Sequence, residues 1–378
     1  MWVAAAAGAL IVLVTGLLPI SAAGAVLAHV APVLVFLVGV TVVAELSDSA
    51  GVFGVAAHRT AAWGRGRTLR LWLLVVALGT ATTVLLSLDT TAVLLTPVVI
   101  VLVQRAGLPV LPFAMVTVWL ANTASLLLPI SNLTNLLAQQ QLSASTLEYA
   151  SHMWLPAAVA VTVTVLVLGL RYRRDLQGSY PVPDAPDVAD HVLFRCSAAV
   201  CLAIGPLAMV GVPVMWISVA GALVLASIFA VRRREALRFD LVPWRLIVLV
   251  VGLFLVVGAA SHHGLGNLLS GAVGQGQSWG PSLRLAAVGG VGANLANNLP
   301  AYAALEPVAT AGGTLYPLLL GVNLGPLVLM WGSLATLLWR ERCRSRGVEV
   351  PWREFALVGV VGVPLLLVAT TMAEQLTR

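Results

Sequence analysis

The sequence predicts an all-α polytopic membrane protein with two inverted-topology repeats and broken or re-entrant helices, in about 10–12 membrane segments. Three observations predict this class: a strongly apolar composition, arginines confined to a few loops, and long apolar segments interrupted by polar residues. Hydrophobic residues make up 60% of the 378 positions, charged residues only 10%, and the mean hydropathy is +0.98. Soluble globular chains carry roughly 25% charged residues, so the composition excludes a water-soluble domain.

Charge and cysteine content exclude several other classes. The net charge of +6 comes from arginine, because the chain has no lysine. Arginines in the loops of a membrane protein fix its orientation, so nucleic acid is not a predicted partner. Cys196, Cys201 and Cys343 form no C-x-x-C pair and are interpreted as packing residues, with soft ligation of a thiophilic metalloid as the alternative. No cofactor and no metal site are predicted.

The first half of the chain begins with two apolar runs, at about 2–20 and 26–45, that predict spans rather than a cleavable signal. Residues 45–70 are too polar to span and predict a helix at the membrane interface. Residues 71–104 predict two crossings joined near Asp89. Residues 110–139 are too long for one straight crossing and too short for two, which predicts a hairpin dip or a broken span.

The second half begins after a loop rich in proline and aspartate at 171–195, which is typical of a linker. The segments that follow comprise predicted spans, a glycine-rich interfacial piece and two polar-interrupted stretches, in this order: 196–211, 214–231, 244–262, 263–281, 284–309, 314–339 and 355–373. The predicted organisation is N-terminal spans 1–45, a first repeat 46–170, a cytoplasmic linker 171–195, spans 196–262 that open the second half, and a second inverted repeat 263–378.

Two features predict the inversion. The order of interfacial piece, interrupted pair, broken segment and closing span recurs, and a weak local echo matches Asn122, Ser131 and Thr134 with Asn323, Ser333 and Thr336. The loops at 59–70, 105, 171–195, 232–245 and 340–353 hold every arginine except Arg284 and Arg378. Because cytoplasmic loops are enriched in arginine, these loops are predicted to be cytoplasmic, with the N-terminus inside and the C-terminus outside.

Asp89 is the one carboxylate well inside the apolar pair of spans 71–104. A charge at the bilayer centre costs about 2.5–3.5 kcal/mol on insertion scales, which favours a proton carrier or an ion ligand. The alternative is a helix cap at the turn between two spans. Glu45 and Glu306 lie near segment ends and are interpreted as structural.

Amide side chains form the other candidate sites. Asn297 and Asn298 precede Pro300, and Asn323 precedes Gly325 and Pro326, as expected of unwound helices. Neutral amides both donate and accept, so they suit a polyhydroxylated neutral solute or, with backbone carbonyls, a sodium ion. The alternative is hydrogen bonding that merely fastens one helix to another.

The motifs at these positions resemble the arsenical-resistance membrane permeases, the arsenite and antimonite efflux proteins of the ion-transporter superfamily. The motifs that carry the resemblance are WGRGR (63–67), LDTTAVLLTPV (88–98), ANTASLLLPISNLTNLL (121–137), NNLPAYAAL (297–305) and GVNLGPLVLMWGSLATLLW (321–339). The family commonly has Asp where this chain has Asn122 and Asn323, which leaves Asp89 as the candidate proton site.

The resemblance implies a scaffold and a moving transport domain in the cytoplasmic membrane, and export of arsenite or antimonite trihydroxide in exchange for protons. Its implied substrate ligands are Asn122, Ser131, Asn132, Thr134, Asn297, Asn298, Asn323, Ser333 and Thr336, with Asp89 as the proton or ion site. It also allows a homodimer and a soluble ATPase subunit as partners.

The rival hypothesis is a sodium-coupled anion or dicarboxylate carrier, or a sodium/proton antiporter, on the same fold. Half-helix N-termini can hold carboxylates without arginine, so the absence of arginine from the motifs does not decide between the two. An enzyme is disfavoured because the chain has no paired carboxylates, H-E-x-x-H or nucleophile motif. A channel is disfavoured because broken helices in inverted repeats are typical of alternating access.

The orientation is testable with reporter domains. Fusions placed after Arg174 and after Arg344 are both expected to report a cytoplasmic location, because both positions lie in arginine-rich loops. Paired cytoplasm-active and periplasm-active reporters measure this, and a periplasmic signal at either position would contradict the predicted topology.

Overall fold

The computed structural model describes residues 2–273 and 276–378, where the chain is helical apart from turns and loops. The helices are α1 (Trp2–Val14), α2 (Ile20–Ser49), α3 (Val52–Trp63), α4 (Thr68–Leu85), α5 (Leu88–Arg105), α6 (Leu111–Thr123), α7 (Leu133–Leu142), α8 (Thr146–Arg171), α9 (His191–Met209), α10 (Val214–Arg232), α11 (Trp244–His262), α12 (Leu265–Ala272), α13 (Trp279–Ala296), α14 (Asn298–Gly312), α15 (Leu315–Leu324), α16 (Leu334–Ser345) and α17 (Trp352–Gln375). Among the described residues, 8 helices are long and apolar enough to cross a membrane. The predicted all-helical membrane class is therefore confirmed.

The N-terminal helices differ from the predicted spans. α1 ends at Val14, before Gly16, whose φ of +71° favours glycine. α2 begins at Ile20 rather than near position 26 and continues to Ser49 through Pro32. The predicted boundary near position 45 followed the polar residues Glu45 and Asp48, but a helix that packs on several others continues past polar residues at its end.

The arginine-rich loops meet at one end of the molecule, which we call the basic end. Gln104 Nε2 donates to the Arg346 carbonyl at 3.3 Å, and Arg233 donates to the Ser49 carbonyl at 2.8 Å. Asp190 caps α9 and accepts from the Arg232 guanidinium at 2.7 Å, which lowers the pKa of that carboxyl. These contacts bring the ends of α2, α5, α10 and α16 together.

The remaining connections meet at the opposite end. His263 Nε2 lies 2.9 Å from the Leu17 carbonyl, and Thr377 Oγ1 donates to the His152 carbonyl at 2.7 Å. Because α6 and α7 run from the basic end to the opposite end, whereas α15 and α16 run the other way, the two halves have opposite directions. This is the geometry of inverted repeats.

Two helical hairpins end inside the protein. Hairpin 1 (α4 and α5) starts and finishes at the basic end, and hairpin 2 (α13 and α14) starts and finishes at the opposite end. The tip of hairpin 1 contacts the interruption between α6 and α7, where Ser131 Oγ donates to the Val84 carbonyl at 3.1 Å. The tip of hairpin 2 contacts the interruption between α15 and α16, where Asn297 Nδ2 donates to the Trp331 carbonyl at 3.0 Å.

The two interrupted segments correspond in their first 3₁₀ turn and in their N-cap, although the first segment has a second 3₁₀ turn, Pro129–Ser131, between them. Each helix passes through a 3₁₀ turn, Ala124–Leu126 or Gly325–Leu327, before an N-cap restarts the chain as α7 or α16. The N-caps are Asn132 and Ser333, and these two residues are as far apart in the sequence as Asn122 and Asn323 are. The structural counterparts of Ser333 and Thr336 are therefore Asn132 and Asn135, so the sequence matches with Ser131 and Thr134 are each wrong by one residue.

Glycines let backbones touch where hairpin 2 packs on the second interrupted segment. A Cβ at Gly321 would clash with the backbone of Ala286 in α13. We expect Gly321→Ala to lower the thermal unfolding temperature of the purified protein by several degrees, since overpacking a core costs about 1–3 kcal/mol.

The matched control is Gly54→Ala in α3, where an added Cβ meets nothing within 4 Å. Alanine in a helix is favoured over glycine by up to about 1 kcal/mol, so this variant should be neutral or more stable. Intrinsic tryptophan fluorescence measures the unfolding temperature of each variant. If Gly321→Ala and the parent unfold at the same temperature, the close packing at Gly321 is contradicted.

Candidate transport site

Buried amides join the interruptions of the two repeats. Asn323 Oδ1, at the end of α15, accepts from Asn132 Nδ2 at 2.8 Å and from Thr134 Oγ1 at 2.9 Å. Asn323 Nδ2 donates to Asn135 Oδ1 at 2.8 Å. All four side chains are at most 4% exposed. Because Asn323 is engaged through both its oxygen and its nitrogen, this amide network fastens one repeat to the other.

The symmetry-related position, Asn122, has different surroundings. Its Nδ2 donates to the Val118 carbonyl of its own helix at 2.9 Å, and its Oδ1 is buried without a hydrogen-bond partner among the described residues. Ser333 and Thr336 do not reach it, because their hydroxyls lie 2.8 Å apart and pair with each other. The first repeat therefore keeps a free acceptor where the second repeat is saturated.

Three asparagines shape the tip of hairpin 2. Asn294 Nδ2 donates to the Gly325 carbonyl at 2.7 Å, and its Oδ1 accepts from the Leu329 amide at 3.0 Å, so it satisfies backbone groups freed by the interruption. Asn297 forms the turn itself, with a φ of +90°. Asn298 Oδ1 is buried without a partner in the described part of the chain. Pro300 lies in the first turn of α14, where a missing N–H breaks no helical hydrogen bond.

Asp89 lies in the first turn of α5 at the tip of hairpin 1. The cap is Ser87, whose Oγ accepts from the Thr90 amide at 3.1 Å, so the interpretation of Asp89 as a cap is wrong. Within the described ranges the Asp89 carboxylate has no hydrogen bond or ion pair. A π-helical turn, Thr91–Leu95, follows it directly. Such turns are frequent at functional sites because they widen the helix locally.

A cavity of about 830 Å³ opens beside this tip. Asp89, Ser87 and Thr90 line it from hairpin 1, Glu45 and Thr41 from α2, and further residues from α11 and α16. The remaining charged lining residues are Asp240 and Arg245, near the basic end. The cavity therefore connects the basic end to the tip of hairpin 1.

Four helices begin inside the protein rather than at its surface. α5 and α14 begin at the hairpin tips, and α7 and α16 begin at the interruptions. Each N-terminus carries roughly half a positive elementary charge and unpaired backbone N–H groups. Together these N-termini favour the binding of electronegative oxygen atoms of a solute, and they do so without a charged arginine or lysine side chain.

The predicted substrate ligands separate into three groups by their hydrogen bonds. Asn132, Thr134 and Asn323 are joined in the amide network. A second group pairs with neighbouring groups in its own repeat: Ser131, Asn297, Ser333 and Thr336. A third group has a buried amide oxygen without a hydrogen bond in the described part of the chain: Asn122 and Asn298.

Sequence reasoning gave no role to Asn135 and Ser87. Asn135 bonds to Asn323 and also donates to the Ser125 carbonyl at 2.7 Å. Its position in SNLTN was a usable signal, since it lies three residues after the N-cap Asn132 and so on the same helical face. Ser87 could have been found as a cap, because a serine two residues before Asp89 suits an N-cap with an acidic first turn.

The difference between Asn323 and Asn122 predicts unequal stability effects. Asn323→Leu removes the partners of Asn132 Nδ2 and Asn135 Oδ1 in the core, and each orphaned group costs about 1–3 kcal/mol. Asn122→Leu removes one bond to a helical carbonyl and orphans no other side chain. We expect Asn323→Leu to lower the unfolding temperature much more than Asn122→Leu, and equal decreases would contradict the network.

The comparisons with known proteins agree with this architecture. A family model described as a citrate transporter, CitMHS, matches residues 1–336. The arsenical pump membrane protein of Yersinia enterocolitica is 31% identical over 88% of this chain and 83% of its own length, and that of Escherichia coli K12 is 29% identical over the same shares. Among solved structures, the YdaH transporter of Alcanivorax borkumensis has a TM-score of 0.58 at 15% identity, covering 92% of this chain and 85% of that chain.

These matches confirm the prediction of a transporter rather than an enzyme, and the resemblance to the arsenical-resistance permeases. The solved structure, at its low identity, supports the fold alone. The chain belongs to the CitMHS family of membrane transporters, in the branch that includes the arsenical pump membrane proteins.

Proposed function

We propose that this protein is a secondary active transporter that exports arsenite or antimonite, as the neutral trihydroxide, across the bacterial cytoplasmic membrane in exchange for protons. The names of its relatives support the arsenical substrate. The observation that carries the proposal is the Asp89 carboxylate, which has no partner among the described residues and lines a cavity at the tip of hairpin 1 beside the hydroxyl side chains of Ser87 and Thr90.

The chemistry of the site suits a neutral polyhydroxylated solute. Such a solute donates and accepts hydrogen bonds through each hydroxyl, which matches the free amide oxygens of Asn122 and Asn298 and the N–H groups at four helix starts. No arginine occurs in 84–91, 122–134, 294–300 or 323–336. A tightly held polyanion would ordinarily need such a cation.

Asp89 is the candidate proton site because it is the carboxylate at the tip that lacks a partner. An unpaired carboxylate at depth is expensive, so binding a proton there lowers the cost of moving the tip through the membrane. Glu45 of α2 lines the same cavity and offers a route for protons toward the basic end.

The orientation that fits this cycle puts the basic end in the cytoplasm, with the N-terminus inside and the C-terminus outside. In that orientation the 830 Å³ cavity opens inward. The bundle of α1, α2, α9, α10 and α11, which pack on one another, is the proposed scaffold, and the hairpins with the interrupted segments are the proposed transport domain. A homodimer and a soluble ATPase subunit are the proposed partners.

The first test uses everted membrane vesicles from an arsenite-sensitive host. A proton gradient, acidic inside, should drive arsenite accumulation with the parent chain. Asp89→Asn should reduce accumulation to the level of vesicles without the protein, because the amide cannot exchange a proton. Asp187→Asn, in the exposed linker, is the matched control and should transport like the parent.

The same vesicles test the second candidate, a sodium-coupled carrier of anions or dicarboxylates. The citrate transporter description of the family favours it, and helix N-termini can hold carboxylates. Absence of arsenite accumulation together with sodium-dependent citrate uptake would establish that function instead. Arsenite transport retained by Asp89→Asn would remove Asp89 from the coupling mechanism.

A further inference from the structure

A second acidic residue, Glu306, faces the helix α2 of the proposed scaffold. It meets α2 far along the helix from the place where Asp89 faces it. Glu306 lies on α14, in hairpin 2, and its Oε1 is 3.5 Å from Nε2 of His29 on α2. Tyr302, one turn earlier on α14, donates to the same oxygen at 2.9 Å. The Glu306 side chain is 11% exposed and that of His29 is 27% exposed. A carboxylate, an imidazole and a phenol therefore form one cluster inside the membrane region.

The cluster bridges two parts of the molecule. α2 packs against α9, α10 and α11 of the scaffold, whereas α14 packs on its hairpin partner α13, on α15 and on the scaffold helix α11. Tyr302 and Glu306 therefore belong to hairpin 2, and His29 belongs to the scaffold. Any sliding of hairpin 2 along α2 must break the contact between His29 and Glu306.

The same scaffold helix faces both hairpins. Near the basic end, Glu45 of α2 and Asp89 of hairpin 1 line the shared cavity. Toward the opposite end, His29 of α2 meets Glu306 of hairpin 2. His29 and Glu45 are about 24 Å apart along the helix at 1.5 Å per residue. Each hairpin thus presents one acidic side chain to α2, at two different depths.

The other titratable groups around Glu306 have contacts of their own. Tyr149 of α8 packs its ring on Tyr316 of α15, and its hydroxyl is buried without a hydrogen bond among the described residues. Arg284 of α13 donates to the Gly271 carbonyl, and on α11 Arg245 lines the cavity near the basic end while His262 packs edge-on against His263. α7 and α12, which also pack on α14, carry no titratable residue. His29 is therefore the cationic partner that Glu306 has in the described structure.

We propose that His29 and Glu306 form a second proton-binding site of the transport cycle and a latch that holds hairpin 2 against the scaffold. The inference rests on the proposed proton-coupled transport. With the proton on His29 Nε2, the two side chains attract as an ion pair and the hairpin is held. When the proton transfers, the N–H bond breaks, an O–H bond forms at Glu306 Oε1, and both partners become neutral.

The neutral form permits movement because neither partner carries a bare charge through the membrane when the two separate. The Tyr302 hydroxyl donates to the same Glu306 oxygen that would take the proton. His29 is the more exposed of the two side chains, although its Nε2 atom itself is buried on the side that faces Glu306. The pair therefore links proton binding to hairpin position without using any residue proposed to bind the solute.

The proton site is tested by infrared difference spectroscopy on the purified protein in liposomes, titrated with pH in the absence of solute. The parent should show the carbonyl-stretch band of a protonated carboxyl. This band should be absent in Glu306→Gln. In His29→Gln the band should remain, but the pH at the midpoint of its titration should change. The control Glu374→Gln removes another buried carboxylate of the same repeat, paired with Arg378 at 2.7 Å, and should leave the band unchanged. A titration identical in the parent and Glu306→Gln would overturn the proposal.

The role in the cycle is tested with reconstituted transport. Glu306→Gln should lose arsenite accumulation driven by a proton gradient but keep arsenite counterflow, which needs hairpin movement without net proton transfer. Retained accumulation would overturn the proposal. If Glu306→Gln does not reach the membrane, His29→Gln decides by the same two measurements. Parent protein that shows the titrating band but never transports arsenite would refute the proposed function alone.

Discussion

Every helix that stops inside this protein leaves backbone groups that the bilayer cannot satisfy, and the fold depends on pairing them. Each unsatisfied group would cost several kcal/mol in hydrocarbon. Asparagine side chains supply the partners. Asn294 donates to the Gly325 carbonyl and accepts from the Leu329 amide, and Asn135 donates to the Ser125 carbonyl. An amide suits this task because it offers a donor and an acceptor in one short side chain. The interruptions therefore exist where asparagines can reach them.

This constraint divides the polar residues into those that hold the fold and those that remain free. Both the oxygen and the nitrogen of the Asn323 amide form hydrogen bonds to the opposite repeat, so this side chain has little capacity left to bind a solute. Among the residues that the structure describes, the buried amide oxygens of Asn122 and Asn298 and the Asp89 carboxylate beside the cavity have no partner. Retaining free polar groups in a core lowers stability by about 1–3 kcal/mol each. Such a cost is expected at a binding site, where the ligand completes the bonds.

The sequence predicts the architecture better than the site, for a physical reason. Arginine placement and interrupted apolar runs act over whole segments, so the inverted halves and the broken helices follow from them. Pairing depends on single residues: the turn in hairpin 2 falls at Asn297 rather than at Pro300, and the cap of hairpin 1 is Ser87 rather than Asp89. Asn132 rather than Ser131 matches Ser333, because the capping residue fixes the register.

In the proposed cycle, the helix α2 faces the acidic residues of both hairpins, which separates proton binding from solute binding. The acidic residues of the hairpins meet α2 at two depths, whereas the free amide acceptors lie at the tip of hairpin 2 and at the interruption of the first repeat. A charge left bare at the bilayer centre costs about 2.5–3.5 kcal/mol, which exceeds the roughly 0.6 kcal/mol of an average interhelical hydrogen bond. In the proposed cycle, protonation of the residues that face α2 therefore has more influence on hairpin position than any one amide contact. The proposal implies that solute specificity can change at the amides while the coupling at α2 stays the same.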